Sequence, residues 1–277
     1  MPVFNCEKTL ATAIRSILNQ TYGNWELLLM EDGSNDNTLN VARSFSDPRI
    51  SVFTDHLHRG RVARLNLAVT MSRGEYFARM DGDDVAYPER LERQVEYLGR
   101  HPKIDLLGCS MLVFKDDGVA VGCRPVPGTH VQICQRPSNG FYIGHPTWIG
   151  RTQWFRTHPY EAGVKRAEDQ VLLLNSYSTS SFASLPEILC GYREDRLVLS
   201  KMLRGRYEFA TAVFKGCLER EEYFKAIGCV LHHSTKAFVD VLAIATGLNY
   251  LVLAHRARSL NPPSLQRWAE VWAQVKG

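Results

Sequence analysis

FARMDGDDVAYPERLE, residues 77–92, puts three carboxylates into four positions, Asp81, Asp83 and Asp84, directly behind an apolar run. EYFARM (75–80) reads as a strand. Pro88 stands where a first helical residue belongs, and Leu91, Val95 and Leu98 follow on one helix face. The stretch is therefore strand, acidic loop, helix. Like charges this close repel, so the loop is either a solvated Asp-Gly turn or a place where a cation offsets the carboxylates.

Upstream, the same alternation repeats. Leu10, Ile14, Ile17 and Leu18 have helical spacing, with Asn5 as a plausible N-cap. WELLLM (25–30) is a short apolar run, as expected of a buried parallel strand, and EDGSNDN follows as a loop. TLNVARSF (38–45) is a short helix, ISVF (50–53) a strand, and VARLNLAVTMS (62–72) a helix for which Gly74 is the expected C′ glycine. IDLLGCSMLVF (104–114) is another strand, turned by the following Asp-Asp-Gly. Alternating strands and helices with short connections predict a doubly wound, mostly parallel α/β sheet flanked by helices. Such sheets bind ligands beyond the carboxyl ends of their strands. The loops 31–36 and 81–84 both lie at such ends, so they are expected on one edge of the sheet.

After about residue 120 the pattern is less regular. VKRAEDQVLLLNSYS (164–178) reads as a helix carrying Glu168 and Asp169, and FASLPEILCGYRE (182–194) as extended chain. From 196 the chain reads as helical and amphipathic, and Pro262-Pro263 precede a final helix with Trp268 and Trp272. This gives two expected domains, 1–195 for the sheet and 196–277 for a helical extension.

Of the chain's 277 residues, 45% are hydrophobic and 22% charged, enough for one large core or a core with an appendage. Residues 196–277 hold 12 Lys and Arg against 6 Asp and Glu, whereas residues 1–195 hold 21 against 23. A basic tail on a slightly acidic body suits an anionic membrane surface, although a solvated basic helix pair has the same composition. Trp268 and Trp272 beside cations are expected anchors at such a surface. AFVDVLAIATGLNYLVLA (237–254) is interrupted by Asp240, Thr246 and Asn249, and reads as a buried or interfacial helix rather than a spanning one. Seven scattered cysteines without a CxxC pair give neither a disulfide framework nor a zinc site, and fit a reducing cytosol.

Several motif classes are excluded. EDGSNDN fails as an EF-hand, because Asn37 occupies the glycine position and Arg43 that of the bidentate glutamate. There is no GxGxxG, P-loop, GxSxG or HExxH pattern. His56 and His58, like His232 and His233, read as exposed histidines more readily than as ligands. What remains is hard oxygen chemistry: a strand ending in Asp-x-Asp suits Mg2+ or Mn2+, which prefer carboxylate, water and phosphate oxygens.

Together, PVFNCEKTLATAIRSILNQTYGNWELLLMEDGSNDNT, RGRVARLNLAVTMSRGEYFARMDGDDVAYPERLERQ, HPT at 145–147, AEDQVLLL and FASLPEILCGYREDRL resemble glycosyltransferase family 2, over roughly residues 1–200 and in the family's order. The resemblance implies a GT-A fold and an inverting, metal-dependent transfer of a sugar from a nucleotide-diphosphate donor to a saccharide or lipid-linked acceptor. That places it in cell-surface polysaccharide synthesis. It implies that Phe4 stacks on the base, and that Glu31 and Asp32 meet base and ribose, with Gly33 and Ser34 shaping the loop. Asp83 then binds the metal, Asp81 supports the ribose or the metal shell, and Asp84 caps the next turn or orients the loop. Asp169 matches the catalytic base, with Glu168 as the fallback. Arg79 is a further candidate for nucleotide or phosphate contact. A surface ion pair of Asp169 with Lys165 or Arg166 is the competing account of that residue. The implied partners are donor, acceptor and a peripheral membrane contact through the C-terminal helices, with no nucleic acid. The implied location is the cytoplasm or the inner face of the cell membrane.

The chain departs from the family pattern at its start, where Met1 stands immediately before Pro2. The first strand is therefore expected to be missing, with an unpaired gap beside WELLLM. A non-catalytic nucleotide-sugar-binding or assembly subunit is the alternative this departure leaves open. A nucleotidyltransferase would want a Gly-rich basic triphosphate loop, and none is visible near residues 1–10.

Overall fold

The computed structural model describes residues 1–194, 198–247 and 257–276. Its first sheet is parallel, in the order β1 (Pro2–Val3), β2 (Leu27–Glu31), β3 (Ile50–Phe53). Helix α1 (Leu10–Leu18) buries Leu10, Ile14 and Ile17 on one face, as their spacing requires, and α2 (Thr38–Arg43) follows β2. Asn5 does not cap α1. It adopts a left-handed φ of 49°, and its Oδ1 instead accepts from the Asn35 N–H at 3.0 Å. Helix α3 (Arg61–Met71) ends at Ser72 in extended conformation, so Gly74 is not a left-handed cap.

The expectation of a missing first strand is corrected. β1 is present as a two-residue strand, registered Pro2 to Met30 and Val3 to Glu31 on β2. Hydrogen bonding along the chain supplies the reason: the Met1 ammonium donates to Leu28 O at 2.8 Å, and Met30 N donates to Met1 O at 2.9 Å. Burial, with Arg79 nearby, lowers that ammonium's pKa to about 5. A cavity of about 550 Å³ is lined by Trp25–Leu28 and by β4 (Tyr76–Ala78).

The second sheet has the order β4-β8-β6-β9-β5, with β7 added on β6. Its members are β5 (Val85–Ala86), β6 (Leu106–Phe114), β7 (Ala120–Arg124), β8 (Ile149–Arg151) and β9 (Phe182–Arg193). Parallel pairing is narrower than the sequence suggests: here only β6 with β9 is parallel, and the other pairs are antiparallel. Parallel neighbours need long crossovers, whereas β6 turns into β7 through Asp116-Asp117-Gly118, with Gly118 at φ 85°. Every residue of β6 is buried, as befits the central strand. Pro186 lies in the β6–β9 register shift, between Leu185 and Ile188, where its lack of an N–H costs no ladder bond.

Helix α4 (Arg90–Arg100) leaves the acidic loop, with Pro88 just ahead of its cap. Short helices α5 (His130–Ile133) and α6 (Thr152–Thr157) precede α7 (Glu168–Ser176). Then α8 (Leu199–Glu219) and α9 (Tyr223–Ala245) pack antiparallel, and α10 (Pro262–Val275) closes the chain. Part of the apolar stretch 237–254 lies outside the described residues; its described portion ends α9.

The tryptophans expected at a membrane are in the core. Trp268 is buried against Phe114 with ring centroids 4.7 Å apart, and its Nε1 donates to Gly118 O at 2.7 Å. Half-buried Trp272 stacks on Trp268 and packs on Phe114. Glycines make the room: a Cβ on Gly191 would come within 2.6 Å of Trp268, and one on Gly118 within 2.2 Å of Trp272.

Candidate active site

A cleft of about 1490 Å³ opens where β1 and β2 end, and Asp32, Asp36, Asp81 and Asp83 all line it. The two acidic loops that the sequence separates by 50 positions both line this cleft, although β2 and β4 belong to different sheets and not to one sheet edge as expected. Gly82 lets the second loop approach the N-terminal segment closely. A Cβ there would meet Val3 at 3.0 Å and Cys6 at 3.3 Å, and Thr9 Oγ1 donates to Gly82 O at 3.1 Å.

The loop after β2 is saturated with hydrogen bonds. Buried Asp32 accepts from Arg59 N (2.9 Å), Gly60 N (3.0 Å) and Arg64 Nε (2.8 Å), with His58 Nδ1 at 3.0 Å. Buried Glu31 accepts from Thr54 Oγ1 at 2.6 Å and Ser34 N at 2.5 Å. Burial pushes the Glu31 carboxyl upward, but those hydrogen bonds outweigh it and hold the pKa below its ordinary value. Gly33 sits at φ 71°, and a Cβ would reach within 2.8 Å of the Leu57 and His58 backbone. Ser34 Oγ accepts from Asn5 N at 3.1 Å, tying the loop to the N-terminal segment. Phe4 stands on the cleft wall, 43% exposed, with its ring 4.3 Å from that of His58.

The loop after β4 is under-satisfied. One oxygen from each of Asp81, Asp83 and Asp84 lies within 4.8 Å of the others. Asp81 pairs with Arg79 Nη2 at 2.5 Å. Asp83 opens to the cleft, but enclosure by its walls and the neighbouring Asp81 push its carboxyl up to about 6. Asp84 is buried; its Oδ1 accepts from Arg193 N at 2.9 Å, and its Oδ2 has no partner among the described residues. Burial, then Asp83 and Asp81, raise its pKa well above the ordinary value. An all-oxygen donor set with an orphaned buried oxygen fits a hard divalent cation such as Mg2+ or Mn2+. Arg79 is not on the cleft wall. It is buried behind the loop, where it holds Asp81 from the rear.

Glu168 and Asp169 form the first turn of α7, where the helix dipole favours carboxylates. Gly163–Arg166, just ahead of them, line the cleft; the pair itself does not. Glu168 is buried, with Arg61 Nη2 on its Oε1 at 2.5 Å, and its Oε2 lacks a partner among the described residues. Burial, against the pull of Arg61, raises its carboxyl to about 7. Asp169 is half-buried and makes no ion pair among the described residues, contrary to the competing surface-pair account; it accepts only from Gln170 Nε2, at 3.3 Å. Lys165 and Arg166 instead donate their backbone N–H groups to Glu208.

The HPT segment lies beneath this pair. His145 is buried, with Nε2 2.8 Å from the Tyr160 hydroxyl and Nδ1 3.9 Å from Glu168. Burial and nearby arginines lower its pKa well below the ordinary value, so the imidazole is neutral. Sequence reasoning did not find Arg61, Arg64 or His58 as site residues. The available signal was Gly60, which starts α3 at φ 89° and aims Arg61 and Arg64 at two different carboxylates.

The fold and site define an α/β protein whose two acidic loops, one from each sheet, meet in a single cleft. Solved structures show the same fold: S. aureus TarS 1–349 in complex with UDP-GlcNAc has a TM-score of 0.63 at 15% identity, covering 99% of this chain and 78% of that one. The mannosyltransferase PcManGT from Pyrobaculum calidifontis, in complex with GDP-Man and Mn2+, has a TM-score of 0.60 at 15% identity, covering 99% and 83%. Residues 1–158 match the family described as Glycosyl transferase family 2. The Bacillus subtilis (strain 168) protein EpsE, itself named a glycosyltransferase, is 36% identical over 70% of this chain and 72% of its own length. The O-antigen biosynthesis glycosyltransferase WbnJ of Escherichia coli is 27% identical over 86% and 95%. The chain belongs to glycosyltransferase family 2, has the GT-A fold, and is a glycosyltransferase.

Proposed function

We propose that this protein transfers a sugar from a nucleotide-diphosphate donor to a saccharide or lipid-linked acceptor, with inversion and with a divalent cation. The observation that carries this reading is the acidic loop: three clustered carboxylates, one of them a buried, half-unpaired aspartate, on the wall of a large cleft. Similarity to structures bearing UDP-GlcNAc, and GDP-Man with Mn2+, supports the donor class and the cation. An Escherichia coli relative, 39% identical over 35% of this chain and 39% of its own length, is named a UDP-Glc:alpha-D-GlcNAc-diphosphoundecaprenol beta-1,3-glucosyltransferase, WfgD; it supports the lipid-linked acceptor class. Cell-surface polysaccharide synthesis at the cytosolic face of a membrane is the corresponding role.

In this reading Asp83 and Asp81 hold the cation, Arg79 fixes Asp81 from behind, and Asp84 anchors the loop to β9. When bound, the cation supplies Lewis-acid stabilisation of negative charge on the leaving diphosphate. Phe4 and the Glu31–Ser34 loop shape the nucleotide side. Asp169 takes the proton of the incoming hydroxyl, a contribution of roughly 10² to 10⁴ in rate. Glu168, locked by Arg61 and turned toward neutral His145, is a positioning residue for that turn.

The test is nucleotide-sugar binding and transfer with and without Mn2+. Asp83→Asn is expected to lose cation-dependent donor binding and transfer. Asp169→Asn is expected to keep donor binding but lose transfer by about 10² or more. Full activity in both variants would overturn the assignment.

A further inference from the structure

Helix α9 buries Ala226 and Cys229 in the core but leaves much of its apolar surface outside. The side chains it turns toward the protein include Cys229, His233 and Asp240, whereas Phe224 is 92% exposed, Leu231 64% and Phe238 67%. Ile227, Val239 and Leu242 extend the same outward surface. Asp240 pairs with Arg206 at 2.6 Å, and His233 Nε2 lies 3.0 Å from Ser138 O, while His233 Nδ1 has no partner among the described residues. A helix in water buries its apolar face and solvates its polar one. Here large apolar side chains remain outside along a helix of 23 residues, roughly 35 Å at the usual helical rise.

We propose that the outward face of α9 docks flat on an anionic lipid bilayer. This deepens the function proposed above, because it places a lipid-linked acceptor beside the cleft, and it rests on that reading for its purpose. Composition favours lipid as the occupant. From Tyr223 to Ala245 the only acid is Asp240, which is buried and paired, so the exposed face carries no carboxylate. Exposed Tyr223, the first residue of α9, has a ring with an apolar body and a polar tip, as interfacial aromatics do. The helix lies on the surface instead of crossing it. Its length and composition would allow crossing, but its inner side is committed to α8 through Arg206 and to Ser138.

The geometry also orients the cleft. The Arg206–Asp240 pair joins the end of α9 to the start of α8, where Ser200, Lys201 and Arg204 line the cleft. Lys165 and Arg166 line it as well, and with Lys201 they form an exposed cationic rim. An anionic leaflet against α9 therefore lies at the cationic end of the cleft. A diphosphate headgroup presented from that leaflet enters past the rim, while its apolar tail stays in the membrane.

Flotation of the full chain with phosphatidylglycerol–phosphatidylcholine vesicles tests the proposal. The comparison is with a variant carrying Phe224→Ser, Ile227→Ser, Leu231→Ser and Phe238→Ser. Wild type is expected to float, and the variant to lose about tenfold or more of its bound fraction, because each substitution removes apolar area available to lipid. Equal melting temperatures and equal donor binding without vesicles keep the fold and the donor site out of the comparison. Donor binding that fails in both proteins counts against the proposed function alone. Wild type that stays with the unbound fraction overturns the docking surface, as does a variant that floats equally well. Equal flotation with phosphatidylcholine alone overturns the anionic leaflet. A wild-type dimer that the variant converts to monomer, with no vesicle binding, assigns the face to a second copy and overturns the lipid.

Discussion

The loops after β2 and β4 leave strands on one wall of the same cleft, and both carry buried aspartates. The first is closed by its own protein: Asp32 is met by two backbone N–H groups, Arg64 and His58. The second is left open, with an orphaned oxygen on Asp84 and an Asp83 carboxyl pushed up to about 6. A carboxylate whose lone pairs are all met by the fold is part of the scaffold. One buried beside like charges without enough donors costs stability until something positive arrives. The difference between the loops separates shape from chemistry within a single cleft.

Asp32→Ala tests the closed loop and carries the largest expected stability effect. It leaves Arg64 buried, with the half-exposed Asp55 as its remaining carboxylate, a loss of about 3 to 5 kcal/mol by denaturant unfolding. A variant of wild-type stability would show that the closed loop is not scaffold. Glu168 lies between the two cases, with one oxygen paired and one orphaned. Its folded pKa, raised to about 7, lies above the ordinary carboxylate value. Its contribution to stability is therefore full at low pH and is lost as pH rises through about 7. Glu168→Gln removes that loss, so variant minus wild-type melting temperature should grow between about pH 5 and about pH 8. A flat difference breaks the reading of Glu168 as under-satisfied. The smallest effect belongs to the open loop. Without a cation, Asp83→Asn relieves repulsion and should hold or raise the melting temperature, by up to about 1 kcal/mol in stability. With Mn2+ the order should reverse, because only wild type gains stability from binding. A variant destabilised without metal would mean that the loop is closed after all.

Much of this was legible from residue order. The strand and helix alternation through residue 114 followed from apolar spacing; the two loops do meet in one cleft, but from strands of two different sheets, which strand polarity alone does not decide. Roles inside the site were less legible. Arg79 alternates out of its strand and so suggested a ligand contact, yet it folds under the loop because Asp81 offers the nearer charge. Trp268 and Trp272 carried an interfacial pattern, but Gly118 and Gly191, distant in sequence, open the core to them. The first strand was expected to be missing because Met1 stands immediately before Pro2, yet Pro2 and Val3 pair with β2 as a strand.

The sequence by itself determined the family, the α/β class and the acidic residues, because periodicity and motif order are local properties that any fold must accommodate. The tertiary structure alone decided which carboxylates are satisfied, that Arg61 and Arg64 serve different acids, and that α9 shows its apolar face outward. Each of these depends on contacts between segments far apart in the chain, and satisfaction of a charge or burial of a face is a property of those contacts, not of the residue that carries it.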